Sequence, residues 1–239
     1  RKVKMLSYVA LPVAILVHSV TAWIFGLEIA KEGWYSAIMA PIFVASACDS
    51  GLALLMVVLA AVRKAGVFDC GRELFANLAR LLATFIAVDA FFIGCELLTT
   101  AYPGTEGASH VLGIMTSGAT APFFWFEILG GLLIPFVLLA SAKRRERTGV
   151  VVAASALVMC GVFCKRVWLL FTSFTVTNVY GAPGISSGST AARGADGFDM
   201  WALAGSYMPQ PVEFAVVAAV VSFCILGIAL LSKKLVAKA

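Results

Sequence analysis

The sequence predicts an all-α, polytopic integral membrane protein of about six transmembrane helices. Three observations carry this. Hydrophobic residues make up 61% of the 239 residues and charged ones only 13%. The mean hydropathy is +0.97, far from that of a soluble domain. Third, the apolar residues form continuous runs long enough to cross about 30 Å of hydrocarbon at about 1.5 Å per residue. A membrane barrel would instead alternate over about ten residues at a time. In chain order the predicted spans are Met5–Phe25, Ile38–Ala61, Leu74–Leu98, Pro122–Leu139, Val150–Val176 and Val212–Leu231. The whole chain, 1–239, reads as one membrane domain, and the segments 99–121 and 177–211 read as long loops.

The net charge of +5 gives orientation, with no nucleic acid implied. Arg1, Lys2 and Lys4 precede the first span, and Arg63, Lys64 and Arg72 separate the second from the third. Lys143, Arg144, Arg145 and Arg147 separate the fourth from the fifth, and Lys233, Lys234 and Lys238 follow the sixth. The opposite ends carry Lys31 and Arg193. By the positive-inside rule both termini are expected in the cytoplasm and the two long loops outside. The chain opens on Arg1 with no initiator methionine. A basic start set directly against a span is what a loop cut from a longer protein would give, so an N-terminally truncated fragment is expected.

Cysteine and histidine usage restricts the chemistry. Five of the six cysteines lie in spans and no CxxC occurs. Cys160 and Cys164 share a helical face, but small apolar packing residues are the simpler reading. A di-haem cytochrome needs four axial ligands, and only His18 and His110 are present. No haem or metal bound by this chain is expected, so any redox centre belongs to a partner or to a mobile organic carrier.

Nine ionisable side chains interrupt the apolar runs: His18, Asp49, Arg80, Asp89, Glu96, Glu127, Lys165, Arg166 and Glu213. Charges at such depth are costly and mark a pathway or a site when they occur. Counting at about 1.5 Å per residue puts His18 in the outer half of its span and Asp49 near mid-membrane. His18 with Asp49, and Thr21 beside them, form one candidate cluster, suited to deprotonating a bound substrate because imidazole titrates near neutrality. Asp89, Glu96, Glu127, Arg166 and Glu213 form a second, expected to relay protons toward Arg80. The competing reading is structural: acids neutralised by Lys165 and Arg166 to hold a bundle together, with Thr21 bonded back to its own helix. Trp23, Trp34, Tyr35, Tyr102, Trp125 and Trp201 read mostly as an interfacial aromatic belt.

The string HSVTAWIFGLEIAKEGWYSAIMAPIFVASACDSGLALL resembles the helix–loop–helix signature of the NrfD/PsrC family, the membrane subunits of polysulfide-reductase-type complexes. FFWFEILGGLLIPFVLL, KRVWLL and YMPQPVEFAVVAAVV resemble three further helices of that family, in the right order. The resemblance implies a haem-free subunit of two four-helix bundles in a bacterial or archaeal cytoplasmic membrane. It further implies exchange of electrons between a quinone, menaquinone or ubiquinone, and an outward iron–sulfur, ferredoxin-like subunit, with cytochrome c or other subunits alongside. The long form associated with the sulfite-reducing Dsr complex fits best. Residues 1–62 would then complete or bridge the first bundle, and 74–239 form the second with a terminal helix. The alternatives are a proton-coupled secondary transporter, for which no internal repeat is visible, and a simple membrane anchor. Thiol labelling of cysteines placed in the Lys143–Arg147 loop tests the orientation. Labelling only from outside the cell would overturn it.

Overall fold

In a computed structural model of the chain, residues 2–29, 31, 33–66, 71–174 and 210–235 are described. Expectations for Arg1, Cys70, Arg193, Trp201, Lys238 and most of the loop 177–211 fall outside these residues. Every regular element among them is helical: α1 (Lys2–Gly26), α2 (Met39–Lys64), α3 (Arg72–Ala101), α4 (Glu106–Ser117), α5 (Ala121–Trp125), a π-helical segment (Phe126–Leu133), α6 (Ile134–Ala140), α7 (Ala142–Arg145), α8 (Thr148–Phe174) and α9 (Pro211–Leu235). Six stretches are long and apolar enough to cross a membrane, one for each predicted span. They are α1, α2, α3, α5 through α6 taken together, α8 and α9. The protein is therefore a multi-pass membrane protein.

The chain divides into two units, Arg1–Ala60 with Gly71–Ser187, and Ala61–Cys70 with Gly188–Ala239. In the second unit α9 is exposed along nearly its whole described length, although Val, Phe, Ile and Leu dominate it. An apolar helix with no buried stripe suits a lipid surrounding or a further helical partner. The first unit holds the core.

Two helices show why the core forms where it does. On α8 the buried positions are Val151, Ala154, Ser155, Val158, Gly161, Lys165, Trp168, Leu169, Thr172 and Ser173, a stripe with the three-to-four spacing of one helix face. On α3 the equivalent stripe is Phe75, Ala79, Leu82, Ala83, Ile86, Asp89 and Ile93. Each stripe is apolar or small except near mid-helix, where it carries a charge. The opposite faces present Phe91, Leu98, Phe163 and Phe171 outward, as lipid contact requires.

Between α5 and α6 the helix widens, and the backbone N–H of Ile134 donates to the carbonyl of Leu129, five residues back. Pro135 supplies a reason. It has no N–H to give, and its ring would strike the carbonyl four residues earlier, which a wider turn relieves. The same segment carries Gly130 and Gly131. A Cβ built on Gly131 would lie 2.6 Å from the Cα of Gly161, and one on Gly161 would meet Gly131 in return. The π segment and α8 therefore cross backbone against backbone, as small residues permit in membrane bundles.

The segment 99–121, expected as a loop, instead contains α4. Thr105 caps it by accepting a hydrogen bond from the backbone N–H of Ala108 at 3.3 Å, and Val111 and Met115 are buried beneath it. Composition concealed it, because a short helix with one apolar face does not register as a span. Trp34, expected in the aromatic belt, is 8% exposed and donates its indole N–H to the carbonyl of Leu169 at 3.0 Å. It packs edge-on against Phe25 and Phe174. Trp23, Tyr35, Tyr102 and Trp125 do lie exposed.

The glycine crossing yields a stability test. Gly161→Val has no room and should destabilise the detergent-solubilised protein by about 1–3 kcal/mol. Gly149→Ala, where nothing lies within 4 Å of the added Cβ, should change the thermal midpoint little. Equal midpoints for both variants would show that the crossing is not close-packed.

Candidate buried charge network

Four helical segments converge on one ammonium group. The Nζ of Lys165 donates to Asp89 Oδ2 at 2.5 Å and lies 3.2 Å from Glu127 Oε1. Lys165 and Asp89 are fully buried and Glu127 is 1% exposed. The indole N–H of Trp168, one turn beyond Lys165, donates to Glu127 Oε2. The backbone crossing explains this meeting, since Gly161 is one turn before Lys165 and Gly131 one turn after Glu127. Asp49 of α2 is also fully buried, within electrostatic reach of Asp89 and Lys165. Neither of its carboxylate oxygens has a donor at good geometry, nor does Asp89 Oδ1, and the Asp49 and Asp89 carboxyls lie close enough to share a proton. Three carboxylates and one ammonium therefore share a buried interior, with the Arg166 guanidinium within electrostatic reach of all three acids. Such a set is stable only if its charges offset one another or its acids hold protons.

Arg166 stands beside this set without closing it. One Nη donates to Ser46 Oγ at 3.2 Å, and its guanidinium carbon lies 3.7 Å from the centre of the Phe43 ring, a cation–π contact. Its other terminal nitrogen, Nη1, is buried without a partner. Asp89 and Glu127 were expected beside Arg166 or beside each other; they meet at Lys165, with Arg166 next to them. The reason is register. Lys165 falls on the buried stripe of α8 and Arg166 falls one residue off it.

The remaining expected residues lie elsewhere. Glu96, further along α3, accepts a hydrogen bond from the Ser36 hydroxyl at 2.5 Å. It borders two cavities, one of about 450 Å3 lined also by Lys31, Ser36, Thr99, Thr100 and Thr105, the other of about 30 Å3. His18 is exposed on α1, and Thr21, exposed as well, donates to the Val17 carbonyl of its own helix at 2.9 Å. His18 and the buried Asp49 are thus not brought together. Arg80 is exposed on α3, outside the buried stripe. Glu213 is exposed on α9, in the other unit. Cys160 and Cys164 are free thiols beside an open apolar groove with Phe123 and Phe126. Among the described residues no group of three or more His, Cys, Asp or Glu is arranged to hold a metal ion.

Sequence reasoning gave Lys165 only the role of a neutralising charge and left Trp168 and Ser36 out. The i, i+3, i+4 stripe through Val158, Gly161, Lys165, Trp168 and Thr172 was the available signal. Removing the Lys165 ammonium should strand Asp89 and Glu127. Lys165→Met should cost about 3–5 kcal/mol or abolish accumulation, and adding Asp89→Asn should restore part of it. Thermal unfolding of the single and double variants checks this, and a single variant as stable as the parent would refute it.

The sequence profile described as "Polysulphide reductase, NrfD" matches residues 1–178. The chain is 36% identical over 89% of its length to a putative dimethyl sulfoxide reductase membrane subunit of Halobacterium salinarum, covering 48% of that protein. It is 29% identical over 80% of its length to a selenate reductase subunit of Mesobacillus selenatarsenatis, covering 43% of it. To the Hdr-like menaquinol oxidoreductase integral membrane subunit of Archaeoglobus fulgidus it is 27% identical over 66% of its length, covering 40%. The chain thus spans somewhat under half the length of these curated relatives. With the match over residues 1–178 and the 36% identity across most of its length, the chain belongs to the NrfD family of membrane subunits.

Proposed function

We propose that this chain is part of a quinol-interacting membrane subunit of a multi-subunit redox complex, and that its buried charge network handles the protons of that reaction. One observation carries the proposal: Asp89, Lys165 and Glu127 meet in full burial within membrane-spanning helices, with Asp49, which has no donor at good geometry, beside them. A bundle held together by charge alone needs one pair. The additional carboxylates are costly unless protons or water visit them. The name of the Archaeoglobus relative, a menaquinol oxidoreductase subunit, supports a quinone as the substrate.

Oxidation of one quinol releases two electrons and two protons. The electrons need an acceptor, which on this reading is an iron–sulfur subunit docked at the end of the bundle that carries α4. The protons need bases. Asp49, Asp89 and Glu127 are carboxylates that Lys165 can stabilise in the charged form as each proton leaves. His18, on the exposed face of α1, offers an imidazole at the depth where a quinol head would lie, with Thr21 one turn on. That face is available to a lipid-borne substrate or to further helices. The basic segments 63–64 and 143–147 would lie in the cytoplasm of a bacterial or archaeal cell, and α4 outside.

A proton-coupled carrier is the second reading. The π-helical break at Phe126–Leu133 favours it, since it places an irregular turn beside the buried Glu127. The two readings separate on quinol dependence: a carrier moves protons without quinol oxidation.

His18→Ala in the complete complex should lower quinol oxidation about tenfold or more while assembly stays intact, as loss of a proton acceptor would. Unchanged turnover at both limiting and saturating quinol would remove His18 from the site. Blue-native gels of the same membranes check assembly.

A further inference from the structure

The charge network does not sit midway between the two ends of its bundle. Lys165 is nine residues from the α4 end of its helix and Glu127 six residues from the start of α5, about 13 and 9 Å at the rise of a helix. In that direction a few polar groups thread an apolar core that includes Met39, Phe43, Met115, Phe124 and Leu169. Trp168, which holds Glu127, also lines the cavity of about 30 Å3, where Glu96, Thr100 and Thr172 stand among largely apolar walls that include Met39, Leu97 and Met115. That volume suits a single water, and the carboxylate and hydroxyls supply partners for one. On its other side Glu96 borders the cavity of about 450 Å3, whose walls include Lys31, Ser36, Thr99 and Thr105. Glu96 is thus the shared wall between a chamber for one water and a roomy polar vestibule.

Toward the Lys143–Arg147 end the interior changes character. Ala53 and Met56 of α2, Ile86, Leu82 and Ala79 of α3, Leu139 of α6, and Val158, Ala154 and Val151 of α8 are all at most 1% exposed. From Asp89 back to Ala79 is ten residues, a slab about 15 Å thick along the helix. Among the described residues the buried polar side chain within it is Ser155, whose hydroxyl has no partner. Protons pass between groups in contact at about 3 Å, and one hydroxyl cannot span such a slab.

We propose that Glu96 is the proton-exchange group of the network, which loads and discharges through the polar vestibule at the α4 end alone. A proton leaving Glu127 reaches the small chamber past Trp168, whose side chain touches both, and goes from its water to the Glu96 carboxylate and then to the vestibule; loading runs the same way in reverse. The apolar slab closes the other side. On the quinol reading, on which the functional part of this proposal rests, the protons of each quinol emerge on the α4 face and this bundle draws none from the other.

Two measurements on the complete complex in liposomes decide it. In the first, Glu96→Gln, which keeps a side chain that Ser36 can hold, should slow proton release at the α4 face about tenfold or more, with the KM for quinol unchanged and Glu96→Asp recovering part of the rate. An unchanged release rate in Glu96→Gln overturns the proposal, and so does acidification at the opposite face. In the second, made without turnover, an impermeant methanethiosulfonate should modify Thr100→Cys from the α4 side. Ser155→Cys should resist it from both sides, each counted against the parent's own thiols. A protected Thr100→Cys or a reactive Ser155→Cys overturns the one-sided path whatever the quinol assay gives. Failure of the parent complex to oxidise quinol, with the labelling as expected, would remove the quinol reading and leave the one-sided port standing.

Discussion

One buried ammonium sets the terms for the rest of the bundle. Lys165 is fully buried and needs carboxylates within about 3 Å on more than one side, which Asp89 and Glu127 supply. Because those acids come from different helices, the requirement fixes the rotation of α3, α8 and the π segment together. It also fixes their spacing. Glu127 reaches Lys165 because Gly131 and Gly161 allow the two backbones to touch. A methyl group there would push the segments apart and lengthen the ion pair. The glycine contact and the ion pair are thus parts of one arrangement.

The balance of charge explains why this arrangement is more than a staple. Desolvating an ion pair costs about as much as the pair returns, so a single buried pair is weak evidence of purpose. Here the pair is surrounded by further acceptors: both oxygens of Asp49 and one of Asp89 have no donor at good geometry, while Arg166, within electrostatic reach of these acids, makes its direct contacts with Ser46 and the Phe43 ring. A purely structural design would place Arg166 against Asp49. Leaving both incompletely satisfied costs stability, and such a cost persists where the groups change partners or protonation in use.

The sequence made much of the fold legible, and the limits follow from physics. All six spans could be read because a membrane demands continuous apolar length, and every such run corresponds to a helix of the structure. Helix α4 was hidden because it buries one face under protein and spans nothing. Within the charge set, Asp49, Asp89 and Glu127 stood out as acids in apolar runs. Which of the two neighbouring bases would pair with them was not legible, because Lys165 and Arg166 are adjacent and equally charged, and only the phase of the α8 stripe separates them. His18 illustrates the opposite limit. Depth along a helix is countable, but which way a side chain points from α1 depends on neighbours that a single apolar helix does not specify.

Buried polar groups are denser on the α4 side of the charge set than on the other, and on the proposed function this bears on how such a bundle could store energy. A proton path open at both ends of a bundle short-circuits the gradient unless something moves to close it. A path open at one end needs no gate: about 15 Å of Leu, Ile, Met, Val and Ala insulates permanently, as the lipid around it does. Charge separation must then come from where electrons enter and leave, with protons released at the face where the substrate is oxidised. On the one-sided proposal, the residues beyond Asp89, apolar but for Ser155, serve as insulation, and their near lack of polar groups is a functional property equal in weight to the charges they border.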